Sequence, residues 1–312
     1  MIKIKLECWW TDTNSLNNRF IKQFVFDQDE FEFVTNNPDY TVVFGRTDWE
    51  NIETPKEKTF YFSQEPLWSP NEPKDGIHEF CSKIFIADKR EYPNRGEYIE
   101  TLLPMFYGGR GDIDHREEWD WSKNILYKNF NKTKPISMVV RKDYSTHYNH
   151  LSNPITSKIN YIQRTDLGIK LSDNENIDIF GTYWESNGKN IKGEAWNKHV
   201  GVDDYNFSVS CENSIQKNYI SEKFWDVILT DGVPIYLGCV NINEYIPDNC
   251  YINISDLNND EITNVVESII NDYDFIYNSK KNDILKLKSN FFKDPNFNLW
   301  EKIKETIKKY EY

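Results

Sequence analysis

Short apolar runs closed by turn residues alternate with polar or helix-spaced stretches along almost the whole chain. Residues 1–10 alternate as a strand and end in Cys8, Trp9 and Trp10. Residues 14–26 set Leu16, Phe20, Ile21, Phe24 and Val25 at helical spacing. Runs at 31–34, 40–45, 59–63, 84–87 and 101–104 predict further strands. Unbroken apolar runs bounded by turns mark strands covered on both faces, as in a parallel sheet. The pattern weakens over 116–135, which is charged and rich in Asn and Trp, and an interdomain linker is expected there. It then restarts. Strands are expected at 136–140, 177–181, 207–210, 233–238 and 250–254. A long polar, helix-like region runs to Leu171, a loop fills 182–200, and a helix spans 221–230. The tail, 296–311, reads as a charged amphipathic helix built on Phe297, Trp300, Ile303 and Ile307. Two such series predict two α/β domains, 1–130 and 131–295, followed by a carboxyl-terminal helix, 296–312. Ligands of such sheets bind beyond the carboxyl ends of the strands, so the cleft between the domains is the expected site.

Composition narrows the partners. The 312 residues suffice for a packed core without disulfide or metal staples. Asp and Glu number 50 against 37 Lys and Arg, a formal charge of −13. That argues against a nucleic-acid backbone or an anionic membrane as partner. Aromatic residues make up 15%, which rules out a disordered chain. The five cysteines are widely spaced and form no C-x-x-C, so free thiols are expected. The chain opens Met1-Ile2-Lys3-Ile4 without a basic, then apolar, leader, and no run reaches the roughly 18 apolar residues of a membrane span. A soluble cytoplasmic protein is expected.

The segment 207–238 carries the most chemistry. Glu212 and Asn213 follow a strand directly, where polar groups can face a ligand. Ser221 is placed to cap a helix whose first turn holds Glu222 and Lys223. A helix amino terminus offers unpaired N–H groups and a positive dipole end, which suit phosphate. A lysine there opposes the dipole, and it makes sense if it meets an anionic ligand. An ordinary amphipathic helix–strand unit with scattered surface charge is the competing reading.

The string C-E-N-S-x4-Y-I-S-E-K-x8-G-V-P-I-Y-L-G, with Asn243-Glu244-Tyr245-Ile246-Pro247 and 251–256 after it, resembles the donor-binding signature of the α1,3/1,4-fucosyltransferases, glycosyltransferase family 10. Order and spacing hold from about 205 to 257; Cys211 stands for the usual Phe and Ser221 for the usual Thr. The resemblance implies a GT-B fold, two Rossmann-like domains facing across a cleft. It also implies a metal-independent, inverting transfer of L-fucose from GDP-fucose to a glycan hydroxyl. By position, Lys223 would contact the pyrophosphate and Glu222 the ribose, Tyr219 would sit against the nucleotide, and Glu212, Asn213 and Ser221 would shape the donor pocket. The family's base follows an apolar strand in the first domain. Glu65, in Phe62-Ser63-Gln64-Glu65-Pro66, is the nearest match, with Asp48 and Glu50 as weaker candidates. The family's diphosphate arginine has no clean counterpart. Arg141, at a strand's carboxyl end, has the right setting, and Arg164 and Lys189 remain open. Another nucleotide sugar, or a carbohydrate-binding protein without catalysis, are the alternatives. The acceptor is not legible.

Weaker signals are read as structure. The D-x-D triplets at 27–29, 112–114 and 272–274 are taken as solvated charge, and His147 with His150 as a surface pair rather than zinc ligands. The 108–111 Gly-Gly-Arg-Gly run is taken as a loop, and Trp9 as packing, although an indole face also suits a sugar. Trp119 and Trp121 fit either reading.

Overall fold

The computed structural model describes residues 1–27, 30–45, 47–66, 68–69, 76–91, 98–103, 105–107, 122–144, 157–195 and 197–311. The first sheet contains β1 (Ile2–Cys8), β2 (Phe31–Phe33), β3 (Tyr40–Phe44), β4 (Thr59–Phe62), β5 (Lys83–Ile86) and β6 (Tyr98–Glu100). All neighbours pair in parallel, in the order β2-β1-β3-β4-β5-β6. Every residue of β3 and β4 is buried, which explains their unbroken apolar runs. Helix α1 (Thr13–Phe24) starts at Asp12, whose side chain accepts from Ser15 N, and lays Leu16, Phe20 and Phe24 against the sheet. A one-turn helix, α2 (Ile77–Phe80), precedes β5.

The second sheet contains β7 (Lys134–Val139), β9 (Ile177–Phe180), β10 (Ile191–Gly193), β11 (Tyr205–Cys211), β13 (Val233–Leu237) and β14 (Ile252–Asn253), again all parallel. Their order is β10-β9-β7-β11-β13-β14. A separate antiparallel ribbon joins β8 (Ser157–Ile159) to β12 (Ser214–Gln216). Helices α3 (Tyr161–Leu171), α4 (Glu222–Leu229), α5 (Asn259–Asn271) and α6 (Tyr273–Phe291) flank this sheet. The last helix, α7 (Leu299–Glu311), returns to the first domain. Its Trp300 is buried edge-on against Phe20 and Phe31. The chain therefore ties the two domains together twice, before β7 and again between α6 and α7. With two parallel sheets facing across a cleft, the architecture is GT-B.

Several local expectations need correction. The strand expected at 101–104 is instead β6, which ends at Glu100. Leu102 and Leu103 are apolar because they are buried at the domain junction, where Leu103 N donates to Asn218 O at 3.1 Å. The expected loop 182–200 contains the edge strand β10 and the start of a 3-10 turn, Lys198–Gly201. Helices α5 and α6 went unread. In α6 the buried Tyr277, Ile284, Leu287 and Phe291 are diluted by charge, although α5 announces itself with an Asn258–Glu261 capping box. Trp9 is not core: it is 38% exposed. All five cysteines are free, and four are buried. Among the described residues no helix is long and apolar enough to cross a membrane.

Candidate active site

Both sheets reverse strand order once, and doubly wound sheets bind ligands outside such points. In the second domain the reversal lies between β7 and β11. Strand β11 is buried throughout and delivers Glu212 and Asn213 at its carboxyl end. The chain then passes through β12, turns at Asn218 with φ +56°, and enters α4.

Glu212 is fully buried and organises this turn. Its Oε1 accepts from Ser221 N at 2.7 Å and from the Tyr236 hydroxyl at 3.2 Å, and its Oε2 accepts from the Ser221 hydroxyl at 2.5 Å. Ser221 Oγ in turn accepts from Lys223 N at 3.3 Å, so the cap of α4 hangs from Glu212. Gly238 makes room for this carboxylate. A Cβ there would lie 2.4 Å from Glu212 Cγ and 2.6 Å from the Tyr236 hydroxyl oxygen.

Lys223 Nζ sits 3.0 Å from Glu222 Oε1 and 3.7 Å from Glu212 Oε2, and donates to Ser221 Oγ at 3.0 Å. Burial opposes the lysine's charge, but the two carboxylates outweigh it and its pKa rises. Burial, with the neighbouring charge of Glu222, pushes the Glu212 carboxyl up against the pull of Lys223 and the Ser221 hydrogen bonds. For Glu222 burial acts in the same direction, but Lys223 and Lys198 prevail and bring it down to about 2. Lys198 also forms an ion pair with the buried Asp226 on α4. At neutral pH this corner therefore holds a permanent ammonium at a helix amino terminus, braced from behind.

The cleft beside it has a volume of about 250 Å³. Asn213, Tyr219, Glu222 and Lys223 line it from the second domain, while Trp10, Arg19, Gln64 and Glu65 line it from the first. Tyr219 is buried, and its hydroxyl donates to Asn213 Oδ1 at 3.1 Å. Opposite, Glu65 follows β4 and is partly exposed. Arg19 reaches in from α1. Its guanidinium lies 5.5 Å from the Trp10 ring and 5.1 Å from the Phe106 ring, and Nη2 donates to Tyr107 O at 3.2 Å. The domains meet just below. Asn218 Nδ2 donates to Ala87 O at 2.7 Å, and Lys217 pairs with Glu100.

The structure thus brings Glu65, Asn213, Tyr219, Glu222 and Lys223 to one cleft, with Ser221 and Glu212 behind the wall rather than on it. Arg141 is elsewhere: its side chain is 55% exposed, pairs with Asp143 at 3.4 Å and lies over Tyr183. Arg164, on the first turns of α3, is buried and feels the charges of Glu212 and Tyr219. Its guanidinium lies 4.5 Å from the Tyr161 ring centroid, burial lowers its pKa, and its Nε has no hydrogen-bond partner among the described residues. Lys189 pairs with Glu175 on the surface. Asp48 and Glu50 do not line this cleft. Arg19, Trp10 and Lys198 were not assigned to the site from sequence. An arginine inside an amphipathic helix, facing the buried side, was the available signal for Arg19. His147, His150, Trp119, Trp121, the 108–111 run and the 112–114 triplet lie outside the described residues, as does part of 27–29. Asp272 and Asp274 sit at the α5–α6 junction.

Residues 144–279 match the family described as glycosyltransferase family 10 (fucosyltransferase) C-term. That match falls wholly within the second domain. The match contains every second-domain residue of the cleft. Among curated relatives, 4-galactosyl-N-acetylglucosaminide 3-alpha-L-fucosyltransferase 9 of Homo sapiens and of Mus musculus are each 35% identical over 75 residues, 21% of this chain and 21% of theirs. GDP-fucose protein O-fucosyltransferase 3 of Xenopus laevis is 33% identical over 51 residues, 16% of this chain and 11% of that one. The match thus spans about a fifth or less of these relatives. The likeness in three dimensions is wider. An alpha1,3-fucosyltransferase solved with GDP superposes with a TM-score of 0.52 at 15% identity, covering 94% of this chain and 89% of that one. Another alpha1,3-fucosyltransferase structure gives 0.51 at 17% identity, covering 91% and 80%. At such identities the likeness concerns the fold, and it takes in both domains.

Proposed function

We propose that the protein transfers L-fucose from GDP-fucose to a hydroxyl of a glycan acceptor, with inversion and without a metal ion. The observation that carries the reading is the ammonium of Lys223 at the amino terminus of α4, facing Glu65 across the cleft and lying within the segment that matches the family 10 model. The relatives are named as fucosyltransferases, and one neighbour was solved with GDP.

In this reading the diphosphate lies on the amino terminus of α4. Lys223 meets the charge that develops as the bond from fucose C1 to the phosphate oxygen breaks. Arg164, rather than Arg141, supplies the second cation. Glu222, held ionised by Lys223 and Lys198, accepts from ribose hydroxyls. Tyr219 and Asn213 wall the pocket. Glu65 takes the proton of the acceptor hydroxyl as that oxygen attacks C1 from the opposite face, so GDP leaves and the anomeric configuration inverts.

Calorimetry with GDP, UDP and TDP tests the donor. GDP should bind most tightly, and GDP-fucose with an acceptor should release GDP. Equal affinity for all three, or tighter binding of UDP, overturns the fucosyl reading. Proton NMR of the product checks the stereochemistry.

A further inference from the structure

The first domain also has a reversal point, between β1 and β3, and a second cavity opens there. Its volume is about 590 Å³, and it is lined by Glu7, Cys8, Trp9, Thr47, Asp48 and Asn51. These residues leave the carboxyl ends of the two strands that flank the reversal, where an open α/β sheet receives a ligand.

Its chemistry differs from that of the main cleft. Trp9, 38% exposed, presents an aromatic surface. The edge of its indole rests on Gly45, where a Cβ would lie 3.6 Å from both Cδ1 and Nε1, and φ of +66° at Gly45 sets that turn. Beside the ring, Asn51 Nδ2 donates to Asp48 Oδ2 at 2.7 Å, which holds carboxylate and amide together. Glu7 adds a second carboxylate, 3.0 Å from Lys5 Nζ. Burial pushes the Cys8 thiol up to about 11, so it adds no charge near neutral pH. Among the described residues the lining holds two carboxylates and no cation. An aromatic face beside paired carboxylate and amide acceptors suits a neutral sugar: C–H groups lie on the ring and hydroxyls donate to the acids. An acidic sugar would meet like charge.

The location says which sugar. Trp9 and Trp10 are consecutive, their Cα atoms about 3.8 Å apart. Trp10 lines the cleft with Glu65, and Trp9 lines this cavity. A chain of sugars whose reacting hydroxyl sits at Glu65 therefore has a second cavity next door for a further unit. We propose that the Trp9–Asp48–Asn51 cavity is a subsite for a neutral saccharide unit of the acceptor, next to the unit that reacts. The identity of the occupant rests on the glycosyl-transfer reading.

The test compares acceptors of two lengths. The probes are the disaccharide 4-galactosyl-N-acetylglucosamine, named for the relatives' substrate, and a tetrasaccharide of two such units. Trp9→Ala should raise KM for the tetrasaccharide about tenfold. KM for GDP-fucose, and kcat with the disaccharide, should stay unchanged. Trp9→Phe should recover most of the loss. Asp48→Asn, at an exposed position, should weaken the tetrasaccharide even if Trp9→Ala folds poorly. A tetrasaccharide carrying a carboxylate on its distal unit should bind less well than the neutral one. Unchanged KM for the tetrasaccharide in both variants, with transfer intact, overturns the subsite and leaves the transfer reading standing. If no transfer occurs at all, calorimetric titration with the same tetrasaccharide decides. Saturable binding lost in Trp9→Ala supports the subsite without the enzyme, and no binding, or equal binding by the variant, overturns it.

Discussion

The two reversal points of this molecule sit on sheets of the same design, and they are furnished in opposite ways. At β7/β11 the polar groups hold one another: Glu212 grips Ser221 and Tyr236, Ser221 caps α4, and Lys223 lies against two carboxylates. Each is positioned by at least one other buried group before any ligand arrives. At β1/β3 the furnishing is sparse, with an exposed indole, a carboxylate–amide pair and short loops. The first is suited to a ligand with fixed, dense charge, the second to one recognised by shape and hydroxyl groups. A charge of −13 sharpens this contrast, because the proposed diphosphate would have to be drawn in against the overall field. Lys223, Arg164, Lys198 and Arg19 concentrate opposing charge around one cleft.

If the domains divide the work in this way, removing the base should affect chemistry alone. Glu65→Gln is expected to lower turnover by about 10²–10⁴-fold. GDP affinity, read by calorimetry, should stay within error, because the proposed contacts of Lys223 and Arg164 with the diphosphate lie on the other domain. Next in size, Lys223→Ala should lower turnover about 10²–10³-fold and weaken GDP binding as well. It also leaves Glu212 without its cation in a buried site, so some loss of thermal stability should accompany it. Loss of turnover with GDP affinity intact would separate Lys223 from the diphosphate. A smaller effect, of about 1–3 kcal/mol in stability, is expected of Gly238→Ala, whose methyl group has to displace Glu212 or Tyr236. Denaturant unfolding with and without GDP measures it. Unchanged stability in Gly238→Ala would mean that Glu212 and Tyr236 yield freely to the methyl group, and that the bracing described for this corner is wrong.

Much of the second domain was legible because its chemistry is local in sequence. Strand, turn, cap and first helical turn fall within about twenty consecutive residues, and Ser221 with Glu222 and Lys223 marks the helix start by itself. The place of Glu65 on the cleft was legible for the same reason, directly after a buried strand. What stayed hidden depends on tertiary contact. Leu102 and Leu103 looked like a strand because burial at a domain junction and burial in a sheet leave the same apolar trace. Arg19 reaches the cleft from a helix whose pattern says only that one face is buried. Trp9 looked like packing because an aromatic residue beside a strand end usually is, and only the fold shows a cavity beside it. Glu212 was expected on the pocket wall; its two buried hydrogen bonds to Ser221 put it behind the wall.

The smallest effect expected is also the one that discriminates most finely, because it separates sequence setting from three-dimensional setting. Arg141 follows β7 at the reversal point and had the better position in the sequence. Its guanidinium nevertheless points to Asp143 and Tyr183 and is half exposed. Arg164 sits on α3, beyond β8, buried beside Tyr161 with Nε unpaired among the described residues, and it feels the charge of Glu212. A buried guanidinium without a full set of acceptors is costly, and an anionic ligand would relieve that cost. Arg141→Ala should therefore change GDP affinity by less than about threefold, the scale of an exposed ion pair. Arg164→Lys should cost more, because a point charge cannot replace the planar fork or its stacking on Tyr161. Calorimetric titration of both variants with GDP ranks them directly. A larger loss for Arg141→Ala than for Arg164→Lys would mean that the diphosphate approaches along β7, and the charge focus drawn around α4 would have to move with it.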